Sequence, residues 1–109
     1  MIELTVLNYL KSVLGIPVYM EVPSDVSEYV LIEKTGSGRE NHINTATIAV
    51  QSISTSLYKA ASLNEEVKEA MDGIIYDADV SRAELNSDYN YTDTTTKTYR
   101  YQAVYDLVY

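Results

Sequence analysis

The sequence predicts an α+β fold: an antiparallel or mixed β-sheet with two main helices packed on one face. Three observations carry that reading. Residues 2–14 and the stretch that follows Ser56 place apolar side chains at helical spacing. Residues 29–35, 46–52 and 99–109 read as strands, the last with strict alternation. The order is helix, strand, strand, strand, helix, strand, strand, so strands fall in hairpin pairs with one helix between the pairs. With 109 residues and no internal repeat or linker, residues 1–109 form a single domain.

The first helix is marked by Ile2, Val6, Tyr9, Leu10, Val13 and Leu14, with Glu3, Asn8, Lys11 and Ser12 between them. Gly15 is its expected stop, and Pro17 prevents continuation. Val18–Val22 is a short extended segment, closed by Pro23 and the polar loop PSDVSE. Tyr29–Thr35 and Ala46–Ser52 are strands, the latter with room to extend at both ends. Ile48 and Val50 share one of its faces, and Thr47, Ala49 and Gln51 the other. The ten residues GSGRENHINT between them are read as the loop of an antiparallel hairpin.

Ser54, Thr55 and Ser56 offer cap hydroxyls for the second helix. Its apolar stripe is read as Leu57, Ala60, Ala61, Val67, Met71 and Ile74, broadened by Leu63 and Ala70, with Lys59, Glu65, Glu66, Glu69 and Asp72 opposite. Val80–Asn86 is the next strand, with Ala83 and Leu85 on one face and Arg82 and Glu84 on the other. The polar run from Asn86 to Thr98 is either a long loop or the exposed extension of a hairpin. In Tyr99–Tyr109 the residues Tyr99, Tyr101, Ala103, Tyr105, Leu107 and Tyr109 share one face. An 11-residue strand spans about 36 Å, more than a domain of this size needs for itself.

Composition narrows the function. No apolar run reaches the roughly 18 residues of a membrane span, and the N-terminal residues lack the pattern of a secretory signal, so a chain folding in the cytoplasm is expected. The absence of cysteine excludes disulfides, thiol catalysis and thiolate-bound zinc. A net charge of −8 opposes nucleic-acid phosphate. It is compatible with an acidic wall past which DNA slides. Eleven tyrosines stand with no Phe or Trp, and six of them fall in the last 21 residues. Tyrosine suits surfaces buried against a partner and also suits strands.

The search for chemistry yields none. Gly36-Ser37-Gly38-Arg39 lacks the Lys and the following helix of a phosphate loop, and position 41 is Asn where a dinucleotide fingerprint needs Gly. His42 is the only histidine and lies on a polar stretch with no nucleophile elbow elsewhere. Asp77, Asp79 and Ser81 imitate the opening of a calcium loop, but its sixth position is Arg82 and its twelfth Asp88. No enzyme, cofactor or metal is expected. Two other readings stay open: a small ligand-binding domain using the Gly36–Arg39 stretch, and an acidic adaptor or DNA mimic.

The run YVLIEKTGSGRENHINTATIAVQSISTSLYKAASLNEEVKEAM, Tyr29–Met71, resembles the tail-terminator or tail-completion proteins of long-tailed bacteriophages. The resembling features are a strand ending in Glu33-Lys34-Thr35-Gly36, a Gly-rich Arg-containing hairpin, the strand ATIAVQS, the Ala- and Glu-rich helix AASLNEEVKEAM and the closing strand YRYQAVYDLVY. The Tyr-rich, Gly-free segment from Ser87 to Lys97 departs from the pattern. The resemblance implies a structural protein of the virion tail or neck, made in the host cytoplasm, active phage or prophage. Such proteins form a ring, commonly hexameric, at the head-proximal end of the tail tube; the ring stops tube polymerisation and joins tail to head. Its partners would be further copies of itself, the tail-tube protein and the head–tail connector protein, with phage DNA passing through unbound and no membrane involved. The related head–tail connectors are small α+β chains too, and a connector or adaptor ring is the alternative role. On this reading Arg39, Glu40, Asn41, His42, Tyr89 and Tyr91 are the expected partner-contact residues.

Overall fold

The computed structural model describes residues 1–109. Helix α1 (Ile2–Val13) leads to a two-residue strand β1 (Val18–Tyr19). Strands β2 (Tyr29–Glu40) and β3 (Ile43–Ser54) form a hairpin. Helix α2 (Leu57–Met71) and one turn of helix, α3 (Ile74–Asp77), precede a second hairpin of β4 (Arg82–Asn90) and β5 (Tyr99–Val108). The sheet order is β1-β2-β3-β5-β4, with β1 parallel to β2 and every other pair antiparallel. The α+β class and the mixed sheet expected from the sequence are what the chain forms.

Both main helices pack on one face of the sheet. Ile2, Val6, Tyr9 and Leu10 of α1 and Leu63, Val67 and Met71 of α2 share a core with Val30 and Ile32 of β2, Ile48 and Val50 of β3 and Ala103, Tyr105 and Leu107 of β5. In cross-strand terms Ile32 stands opposite Val50 and Val50 opposite Ala103, while Ile48 stands opposite Tyr105. The alternation read in β3 and β5 groups the helix-facing residues together, because successive side chains on a pleated strand point to opposite sides, although Ala49 and Gln51 on the other face of β3 are buried as well.

Helix α1 carries Glu3 in its first turn and Lys11 in its last, each favourable to the helix dipole. It ends at Val13, one residue short of the predicted span: Leu14 is already extended, with φ −97°, and no glycine in the chain has positive φ. Helix α2 is capped by Ser56, whose hydroxyl accepts from the Lys59 amide at 3.1 Å. Its buried stripe is Ala60, Leu63, Asn64, Val67 and Met71. Leu57 lies largely exposed at the first turn, and Ile74 belongs to α3, so the stripe expected from the sequence is displaced toward Leu63 and Asn64.

Only Val18–Tyr19 of the extended segment 18–22 joins the sheet. The largest departure is in the first hairpin. The stretch expected to loop is strand: β2 runs through Gly36, Ser37, Gly38 and Arg39 to Glu40, and β3 starts at Ile43. Only Asn41 and His42 make the turn, with φ 52° and 65°. Two positive φ values are what a two-residue hairpin turn matched to strand twist requires. The register shifts once, between Lys34 and Gly36.

The second hairpin also resolves into strand. Strand β4 pairs with β5 through Asn90, and an isolated bridge joins Asp93 to Thr98. Asp93 Oδ1 accepts from the Thr95 and Thr96 amides, which closes the turn. Those amide hydrogen bonds hold the Asp93 carboxyl below its ordinary pKa. Of the two alternatives for this segment, the structure takes the hairpin extension. The two hairpins give the molecule extents of 44 × 26 × 23 Å.

Candidate docking surfaces

The expected partner-contact residues fall in two places. Arg39, Glu40, Asn41 and His42 are all exposed at the tip of the β2–β3 hairpin, together with Ile43. Tyr89 and Tyr91 lie at the far end of β4, about half-exposed. Thr45 of β3 stands beside Val108 and Ser54 beside Tyr99, so the second hairpin turns at the opposite end of the sheet from the first. At about 3.3 Å per residue, the ladder between them is roughly 30 Å long. The chain therefore presents two separate surfaces rather than one site.

The Tyr89–Tyr91 surface is built on the sheet face that the helices leave open. Their rings meet edge to face at 5.9 Å. The Arg100 guanidinium lies 4.9 Å from the Tyr91 ring centroid, and its Nε donates to the Tyr91 carbonyl at 2.7 Å. A polar ladder crosses the sheet beside them. Gln51 Nε2 donates to Gln102 Oε1 at 2.9 Å, and Gln102 Nε2 donates to the Tyr89 hydroxyl at 2.6 Å. The Tyr89 oxygen accepts in that ladder, so its own proton is free for a partner. Tyr19 and Tyr29 add a second edge-to-face pair, with centroids 6.0 Å apart. Tyr19 stands opposite Leu31, Leu31 opposite Gln51 and Gln51 opposite Gln102, so this pair lies on the same face, with Tyr29 buried and only Tyr19 partly exposed. Fixed aromatic rings with polar tips make good contact surface, because little rotamer freedom remains to be lost on binding.

Sequence reading missed Arg100 and the glutamine ladder. Their signal was present: Arg100 and Gln102 alternate with the buried residues of β5. Which residues they would meet depended on strand order, which composition and periodicity do not reveal. Tyr105, by contrast, is core. Burial first, then the negative charge of Asp72, pushes its phenol up to about 12.

The carboxylates of the calcium-like stretch do not converge. Asp77 closes α3, Asp79 follows it, and Asp88 is committed to α2. Asp88 Oδ2 accepts from Lys68 Nζ at 2.8 Å and from Asn64 Nδ2 at 3.0 Å. These contacts hold the Asp88 carboxyl below its ordinary range and the Lys68 ammonium above its own. No three acidic or histidine side chains gather as metal ligands would. Gly36 and Gly38, in strand, do not form the turn-to-helix cradle that a phosphate requires.

No helix is long and apolar enough to cross a membrane. The chain matches no protein-family model, and no curated protein is similar to it in sequence.

Proposed function

We propose that this chain is a structural virion protein of a phage or prophage. It forms a homo-oligomeric ring at the head-proximal end of the tail tube, ends tube polymerisation and joins tail to head. The observation that supports the reading is the placement of two sets of exposed side chains, Arg39–His42 and Tyr89 with Tyr91, at opposite ends of one sheet. A ring subunit buries two different surfaces, one against each neighbour or adjoining ring, whereas a self-complementary dimer needs only one. The resemblance of Tyr29–Met71 supplies the biological setting, and the charge of −8 suits a channel that DNA traverses without sticking.

Deleting the gene from its phage and measuring tails by electron microscopy tests the role. A tail terminator predicts overlong tails that are detached from heads. Tails of normal length that fail to join heads would assign the connector role instead. Normal, infectious particles would contradict both.

A further inference from the structure

The sheet has two free edges, and they match. Strand β1 pairs only with Val30 and Leu31, so the outer edge of β2 is unpaired from Ile32 to Glu40. Strand β4 is the last strand on the other side, and its outer edge is unpaired throughout. Unpaired backbone donors and acceptors on a long strand form a template for another strand.

Following the register across the sheet fixes how the edges align. Gly38 stands opposite Thr45, Thr45 opposite Val108 and Val108 opposite Arg82. Ser37 is level with Ala83 by the same route, through Ala46 and Leu107. The free half of β2 is therefore level with the Arg82–Leu85 half of β4. Three antiparallel steps separate the two strands, so β4 runs opposite to β2. A second copy set edge to edge, turned only about an axis along the strands, brings its β4 against β2 in antiparallel pairing.

Two further features fit such a neighbour. Gly36 follows the register shift at Lys34–Gly36, where a glycine eases the bulge, and it leaves the strand surface bare: a Cβ there would meet nothing within 4 Å. A glycine in a strand marks a bulge or gives room for another backbone to approach, and bare strand here serves both. Gly36 and Gly38 lie level with Glu84 and Arg82, so a neighbour's two long side chains would lie over bare strand. Charge is complementary as well. Arg82 pairs with Glu84 of its own strand, and Glu40, two residues beyond Gly38 on the same face, would add a second carboxylate diagonal to the neighbour's Arg82, within reach of long side chains. Within one chain three strand spacings, about 14 Å, separate those two levels.

We infer that the free edge of β2 (Ile32–Glu40) pairs with the β4 edge of a second copy of this chain, continuing the sheet from subunit to subunit. The inference deepens the ring reading and rests on it for closure, since a head-to-tail edge contact ends only in a ring or runs on as a filament.

The absence of native cysteine makes cross-linking a clean test. Ser37→Cys is combined in turn with Ser81→Cys, Ala83→Cys and Leu85→Cys, spanning a stagger of two residues either way. Facing residues of an antiparallel pair lie about 4.5–5.5 Å apart at Cα, within disulfide range. One combination should give a ladder of linked species under mild oxidation, and each single variant should give none. Gly36→Val should keep the melting temperature while cutting cross-linking about tenfold, or roughly 1.4 kcal/mol of association. Glu40→Arg and Arg82→Glu should each weaken linking, and the double exchange should restore it. Self-linking of Ser37→Cys alone would overturn the inference in favour of a two-fold edge contact. No ladder from protein that light scattering shows to be oligomeric would overturn the inference and leave the ring reading standing. No ladder from strictly monomeric protein would overturn both.

Discussion

Lys68 on α2 and Asp88 on β4 lie 2.8 Å apart, and the same Asp88 oxygen accepts from Asn64. This contact ties the second hairpin to the helix layer beyond the end of the apolar core. Both side chains keep about a quarter of their surface exposed, so solvent screens the pair and its worth is about 1 kcal/mol. Asp88→Asn should lower the melting temperature by about 4–8 °C at neutral pH. The sign with pH follows from the depressed Asp88 pKa. The contribution is present above the ordinary carboxylate pKa near 3.8 and is lost as pH falls through the lower folded value. The raised Lys68 pKa acts at the other extreme, its contribution being lost only as pH rises above about 10.5. The gap between wild type and Asp88→Asn should therefore be constant from pH 6 to 9 and close below about pH 4. A gap that persists in acid would show that the carboxylate charge is not what holds the hairpin.

Tyr9 and Gly73 are mutually fitted. The Tyr9 hydroxyl donates to the Ala70 carbonyl at 2.6 Å, and a Cβ on residue 73 would come within 2.9 Å of that hydroxyl. Gly73→Ala should cost about 1–3 kcal/mol by overpacking. In a Tyr9→Phe background the clash is relieved, so the double variant should be more stable than the sum of the two losses implies. Additive losses in thermal melts would contradict this packing account.

The turn at Asn41-His42 has both residues in the left-handed region. Asn tolerates it, whereas His gains nothing local there. His42→Gly should raise the melting temperature by about 2–4 °C. A fall would mean that the His42 side chain makes a contact that stabilises the hairpin.

Arg39 has no ion-pair partner within the chain and is exposed. Arg39→Glu should change stability by less than about 0.5 kcal/mol. It should nevertheless impair assembly, if the hairpin tip docks on a neighbour as proposed. A matching loss of thermal stability would make Arg39 structural instead.

The sheet class, both helices and the grouping of side chains by face in β3 and β5 were legible because hydrophobic periodicity follows the geometry of each element; that Ala49 and Gln51 are buried on the second face of β3 was not. Pairing was not legible. Val18–Tyr19 joins β2 in parallel through two residues, too short a stretch to announce a partner. The Gly36-Ser37-Gly38 stretch looked like a loop because glycine usually punctuates. Here none of its residues has positive φ and all lie within β2, and the turn falls on Asn41-His42. On α2, Asn64 is fully buried inside the apolar stripe because Asp88 approaches from β4. A polar residue committed to a long-range partner reads as solvent-facing in sequence. The hairpin-tip residues were identified as exposed from their composition. The Arg100–Tyr91 contact required the register of β4 on β5.

The mass of the assembled protein tests the central proposal most directly. Light scattering across a wide concentration range should show a discrete multiple of the 12.2 kDa chain, six copies for the ring size common in the family it resembles. A mass of 12.2 kDa at every concentration would contradict a self-assembling ring.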